Sequence, residues 1–194
     1  VCMSELKEQF EQVKDRVAKA AIRAGRSPDS VYLVAVTKFA EPEDIRELVE
    51  LGHRDFGENK VQQMSQRASV INEWFERMKS HPRLAHEHPL FDPSKPVRWH
   101  MIGHLLRNKV RKTGDVVRPV HSVDRLRLSG EIQQGSKRFA CSIDVLLQVN
   151  VSNEDSTYGV PIATPCAIAE QIETKTKIRV HRLKTTAQPA DKPQ

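Results

Sequence analysis

Val31-Tyr-Leu-Val-Ala-Val36 is an unbroken apolar run, and Thr37 and Lys38 follow it directly. A lysine in that place is expected to have its stem partly enclosed and its amine at a strand exit. Enclosure favours the neutral amine, and a neutral amine can condense with an aldehyde to a Schiff base. The same residue can instead snorkel, covering apolar surface with its stem and holding its charge in water; the residues alone leave both readings open. Further polar residues follow the other extended segments: Gly57-Glu58-Asn59, Gly103-His104, Ser122 with Asp124, and Asn150 with Ser152. Such residues also solvate loops and cap helices, and Asn59 and Asp124 are placed to do so.

Other constellations carry less chemistry. His100 and His104 are four apart, a ligand spacing on a helix, but Gly103 and the extended pattern before it place them across a strand exit, off any common face. His81, His86 and His88 lie in a proline-rich stretch without cysteine partners, so no designed metal site is expected. Cys2, Cys141 and Cys166 show no paired spacing. That excludes a disulfide framework and fits a reducing, cytoplasmic setting. Cys141 and Cys166 are expected to be buried small apolar residues, and Trp74 and Trp99 core or interface residues. The basic run Arg107, Lys109, Arg111 and Lys112 reads as a solvated helix face. With only 5% aromatic residues, base stacking has little to work with, and no specific nucleic-acid partner is expected.

The elements that position these residues alternate. Leu6, Phe10, Val13, Val17, Ala20 and Ile22 predict a helix over 4–25, capped by Ser4 and ended by Gly25 and Pro28. The apolar run 31–36 predicts a strand buried on both faces. A helix over 41–51 ends at Gly52, a short strand over 54–56 runs into Gly57, and a helix spans 60–78. Residues 79–96 hold three His and four Pro, which excludes a helix or central strand and predicts a surface insertion. Strands over 98–102, 116–123 and 143–149 alternate with helices over 105–112 and 125–138. Pro161 is placed near the start of a helix reaching Thr174, and 178–183 is a last strand. Residues 185–194 predict a disordered tail, leaving 1–184 as a single domain.

Repeated β-α alternation demands parallel strands with right-handed crossovers. An open doubly wound sheet and a (β/α) barrel both satisfy it, and both place ligands at the carboxyl ends of the strands. No G-x-G-x-x-G follows the first strand, which weakens a dinucleotide site. The chain has 194 residues, 38% hydrophobic and 29% charged, with net charge +6, the composition of a globular protein. No window approaches the ~18 apolar residues of a membrane span, and Val1-Cys-Met followed by charged residues lacks a signal-peptide core.

Val34-Ala-Val-Thr-Lys38, Phe56-Gly-Glu-Asn-Lys-Val-Gln62, Trp99-His-Met-Ile-Gly-His-Leu105 with Arg107-Asn-Lys109, Ser122-Val-Asp124 and Leu147-Gln-Val-Asn-Val-Ser152 together resemble the pyridoxal phosphate homeostasis proteins. The motifs occur in the family's order, from about residue 5 to about residue 180. The resemblance implies a (β/α) TIM-type barrel of the alanine racemase N-terminal type. It implies pyridoxal 5′-phosphate held as a Schiff base on Lys38, and cofactor buffering or delivery without turnover; the sequence does not fix the oligomeric state, and a monomer is the working expectation. It also places Asn59, His104, Ser122 and Asn150 at the cofactor-binding face.

The chain departs from the pattern in two places. The family's Leu-Gln-x-Asn-Lys is here Leu105-Leu-Arg-Asn-Lys109. The family continues past its sixth strand with Gly-Leu-Met, Ser-Met-Gly-Met-Ser and Arg-x-Gly segments, the last two cradling the cofactor phosphate, whereas this sequence reads Val180-His-Arg-Leu-Lys184-Thr-Thr. The expectation is an incomplete barrel of about six of eight strands, truncated or divergent at its end, against a usual barrel length of ~250 residues. The alternative expectation is a relative that no longer binds the cofactor and acts as an interaction module or unstable fragment.

Overall fold

The computed structural model describes residues 4–81, 83, 88–105, 109–110, 117–124, 126–136, 142–151, 158–175 and 178–185. The elements run α1 (Glu5–Arg23), a 3₁₀ turn (Pro28–Ser30), β1 (Ala35–Val36), α2 (Pro42–Glu50), β2 (Asp55–Glu58), α3 (Val61–Ser80), β3 (Arg98–Met101), β4 (Val117–Val123), α4 (Leu126–Ser136), β5 (Ile143–Asn150), β6 (Val160–Pro161), α5 (Pro165–Glu173) and β7 (Ile178–Thr185). They form two compact units, Val1–Gly57 with Gln66–Arg98, and Glu58–Ser65 with Trp99–Gln194.

In the first unit, Ser4 caps α1 by accepting from the Lys7 N–H, and Gly25, at φ 66°, ends it in the left-handed conformation glycine favours. β1 pairs in parallel with β2, Ala35 opposite Phe56 and Val36 opposite Gly57. Phe10, Ile45, Val49, Phe56, Ile71, Phe75 and Phe91 are buried. Arg54 is buried beside them, 5% exposed. Its guanidinium donates to the carbonyl oxygens of Val49 (2.6 Å), His53 (2.8 Å), Lys95 (3.0 Å) and Asp92 (3.2 Å) and lies over the rings of Phe75 and Phe91. A buried guanidinium is tolerable when its donors are this fully used. The proline-rich residues 92–96 are thereby tied down by side chain-to-backbone bonds, which need no regular secondary structure.

In the second unit, β3 pairs with β4 and β4 with β5, all parallel. β5 pairs with β6 through Val149–Val160 and Asn150–Pro161, and with β7 along its length from Ile143–Ile178 to Val149–Thr185. Val145, Leu147 and Val149 are buried, as are Val120, Val123, Leu128, Ile132 and Ile172. β5, flanked by β4 and β7, has the two-sided burial its apolar run predicts.

The first strand does not. It spans two residues, not six; Val36 is 54% and Tyr32 62% exposed. Among the described residues β1 pairs only with β2, and the exposure of Val36 is that of a strand whose faces are not both covered by a packed layer. Pro161 lies in β6 rather than at a helix start; α5 begins at Pro165. Cys166 is exposed, because it falls on the outer face of the first turn of α5. α3 continues to Ser80, two residues into the expected insertion. Cys2, Cys141, His86, Arg107, Arg111, Lys112 and all of the expected tail except Thr185 lie outside the described residues; Thr185 closes β7. No described helix is long and apolar enough to cross a membrane.

Arg54→Met removes a donor from four carbonyls while keeping much of the stem's packing. It should lower the free energy of unfolding by about 2–3 kcal/mol, measured by urea denaturation.

Candidate functional site at the strand exits

Lys38 belongs to the first unit, immediately after β1. The loop that carries it is fixed: Thr37, 2% exposed, donates its backbone N–H to the Gly57 carbonyl at 3.0 Å and receives one from Ala40 at 3.0 Å. Arg67 then donates to the Ala40 carbonyl at 2.8 Å. The Lys38 side chain itself is exposed, its Nζ 5.0 Å from the centroid of the Phe39 ring. The enclosure expected for its stem is absent, because the apolar run before it is not covered. What the sequence places correctly is a primary amine on a rigid strand exit.

The other predicted residues all fall in the second unit, and contacts link them. Ile102 donates its N–H to the Glu58 carbonyl at 2.9 Å, which draws the residues after β3 against the end of β2. There the backbones meet: a Cβ built on Gly103 would lie 2.2 Å from the Asn59 oxygen. Only glycine fits. Asn59 is exposed and stands two residues ahead of α3. Ser122, 2% exposed, donates its hydroxyl to the Gly103 carbonyl at 2.6 Å. Its one proton is thus committed to the loop, and it supports the site by holding Gly103.

His104 comes next. Its ring stacks on Tyr158, centroids 4.2 Å apart and planes 16° from parallel, and its Nδ1 lies 3.6 Å from Asp124 Oδ2. That nitrogen is buried, with no hydrogen-bond partner among the described residues. Gln148 donates its amide N–H to the Tyr158 carbonyl at 2.7 Å. Gly159, at φ 145°, permits the turn: a Cβ there would sit 2.6 Å from the Asn150 nitrogen. Asn150 therefore joins the same set through the backbone, at the end of β5.

Sequence reasoning missed three contributors. Tyr158 lies in a stretch without periodicity, and nothing in the sequence pairs it with His104. His121, on β4, meets His100 of β3 at 2.8 Å between Nε2 and Nδ1. Burial, then the nearby His100 and Lys184, push His121 down from 6.5 to about 4. Lys184, on β7, donates to the Ile102 carbonyl at 3.1 Å, and burial lowers its pKa. His100 and His104 have separate partners, in keeping with their expected separation. Among the described residues no three His, Cys, Asp or Glu side chains form a metal-ligand cluster.

Gly103→Ala should lower unfolding free energy by about 1–3 kcal/mol or more through overpacking. Gly130→Ala, within α4 with open space at its Cβ, should raise it by about 0.5–1 kcal/mol; chemical denaturation compares the two. Because His121 is held neutral in the folded state, its contribution is complete above pH 6.5 and is lost as pH falls toward about 4. Thermal melts across that range should show declining stability, and His121→Gln should flatten the decline.

No family model matches the chain. It is 32% identical over 187 residues to the pyridoxal phosphate homeostasis protein of Pseudomonas aeruginosa, covering 96% of this chain and 72% of that one. It is 29% identical over 181 residues to that of Escherichia coli K12, covering 93% and 70%. Among solved structures, an unknown protein from Bifidobacterium adolescentis superposes with TM-score 0.80 at 27% identity, covering 98% of this chain and 75% of that one. PipY of Synechococcus elongatus, solved with PLP bound, gives 0.63 at 26% identity, covering 88% and 70%. Alanine racemase of Clostridium difficile gives 0.54 at 7% identity, covering 80% of this chain and 35% of that one, a likeness of fold alone. The architecture is thus the alanine racemase-type α/β barrel with its sheet left open among the described residues, and the chain belongs to the pyridoxal phosphate homeostasis protein family.

Proposed function

We propose that this protein binds pyridoxal 5′-phosphate through a Schiff base on Lys38 and serves the handling of that cofactor without turning over a substrate. The observation that carries the reading is the Lys38 amine on a loop anchored by Thr37 to Gly57, in a chain whose relatives carry the homeostasis name and whose neighbour PipY was solved with PLP bound. The residues fit the aldehyde end of the cofactor: a solvent-reachable primary amine on a fixed backbone. When bound, the cofactor supplies an electrophilic aldehyde and an electron-withdrawing ring.

The chain's own residues do the rest. Thr37 and Arg67 hold the Lys38 loop in place. Asn59, His104 and Asn150 are the proposed polar contacts, and Ser122 keeps Gly103 against Asn59. The His104 Nδ1 is buried 3.6 Å from Asp124 Oδ2, beyond direct hydrogen-bond reach.

Purified protein incubated with pyridoxal 5′-phosphate and reduced with borohydride should carry the adduct on Lys38, mapped by mass spectrometry. Equal labelling of all exposed lysines would reject the assignment. Free ligand at one hundred times Kd should stabilise the protein by about 2.7 kcal/mol. At about 2–4 °C per kcal/mol, that raises Tm by roughly 5–10 °C, and Lys38→Ala should remove most of the rise. Incubation with L-alanine and the cofactor should give no D-alanine.

A further inference from the structure

Phe39 is the most exposed large apolar side chain among the described residues, 88% open to solvent. It is the third residue of the turn Thr37–Ala40, which the Ala40 N–H closes by donating to the Thr37 carbonyl at 3.0 Å. Turns favour glycine, proline, asparagine, aspartate and serine, and a phenyl ring left in water adds little to folding. The turn is held at both ends, by the Thr37–Gly57 hydrogen bond and by Arg67 on the Ala40 carbonyl. The ring is therefore carried on fixed backbone, and stability does not account for its residue type.

What the ring meets is the Lys38 amine, whose Nζ lies over it, 5.0 Å from the centroid. Two other lysines lie over rings at similar distances, Lys14 over Phe10 at 5.3 Å and Lys79 over Phe75 at 5.1 Å. Those rings are buried in the core, and both amines are paired with glutamates, Glu11 and Glu76. Phe39 is the exception, a ring in water beside an amine that pairs with no carboxylate among the described residues. A cation over a ring face is held there by the ring's quadrupole. The same ring can also stack against a second aromatic ring.

We propose that Phe39 makes the Lys38 amine selective for aromatic over aliphatic aldehydes, holding the ammonium in place and stacking against the ring of the aldehyde that condenses there. The proposal rests on the reading that Lys38 takes the aldehyde of pyridoxal 5′-phosphate, and names what favours that class. The ammonium and the aldehyde give a protonated carbon–nitrogen double bond and one water. No oxidant or reductant is consumed, and hydrolysis reverses the step. The nitrogen keeps its positive charge, so its attraction to the Phe39 ring survives condensation. An aromatic ring conjugated to that nitrogen is brought to Phe39, whereas an aliphatic chain has no π face to present. One fixed, exposed ring is enough for this, and no enclosed cavity is required.

Wild type, Phe39→Leu and Phe39→Tyr proteins are incubated with pyridoxal 5′-phosphate, or with glycolaldehyde phosphate, which has the phosphate and no ring. Each is reduced with borohydride, digested and mapped, with the exposed Lys19 as reference. With pyridoxal 5′-phosphate, labelling of Lys38 relative to Lys19 should fall about three- to tenfold in Phe39→Leu and return in Phe39→Tyr. With glycolaldehyde phosphate the three proteins should label alike. No change in Phe39→Leu, or an equal loss with both aldehydes, overturns this proposal and leaves the Lys38 reading intact. Absence of Lys38 enrichment over Lys19 in wild type overturns both. A second readout needs no aldehyde: in reductively ¹³C-methylated protein, the NMR resonance lost in Lys38→Arg should lie upfield of that of Lys19 through the ring current of Phe39. In Phe39→Leu it should move to the position of Lys19. A Lys38 resonance indifferent to that substitution would equally overturn the proposal.

Discussion

Residue 103 has no room for a side chain, and the organisation of the second unit follows from that. With glycine there, the backbone after β3 lies against the backbone of Asn59. The approach brings the ends of β2 and β3 together through the Ile102–Glu58 hydrogen bond. Ser122 closes on it from β4 by donating to the Gly103 carbonyl. His104 is thereby delivered to Tyr158 and Asp124, and the neighbouring Ile102 carbonyl remains available to Lys184. Steric exclusion at one Cα sets the positions of residues from four strands, none of which would find one another by local preference.

The first unit solves a different problem. Its central cation, Arg54, is stabilised by four backbone carbonyls rather than by a carboxylate. Replacing water around a guanidinium with that many fixed acceptors offsets a desolvation cost that would otherwise be several kcal/mol. The same bonds order a proline-rich segment that cannot form a ladder of its own. Lys38 shares this unit but not this burial. Its backbone is held by Thr37, while its amine stays in water, where an incoming aldehyde can reach it. The two lysines differ in setting: Lys38 is exposed, whereas Lys184 is part-buried and donates to the Ile102 carbonyl.

Much of the element order was legible in the residues. Ser4 and Gly25 delimit α1 because a hydroxyl cap and a left-handed glycine act within one turn. The strand exits at Lys38, Asn59, His104, Ser122 and Asn150 were legible for the same reason: apolar runs stop where polar residues begin. Burial was not legible from composition. Residues 31–36 and 143–149 are both apolar runs, but β5 is flanked by two paired strands and β1 by one. Neighbouring strands cover a strand's edges and packed helices its faces, and both are tertiary facts. Cys166 and Pro161 failed for kindred reasons: helix register exposed the one, and a two-residue bridge to Asn150 claimed the other.

By itself, the sequence determined the alternation of strands and helices, the amine at the first exit, and the set of motifs that marks the family. Periodicity, caps and residue type operate over a few neighbours and survive without a fold. The tertiary structure decided which lysine is enclosed. Lys184 directly follows the strand expected over 178–183. It becomes part-buried only because β7 pairs with β5 and carries it beneath the Ile102 carbonyl, 82 residues away in sequence. Sequence distance that large is bridged by strand pairing alone, and no local pattern encodes it.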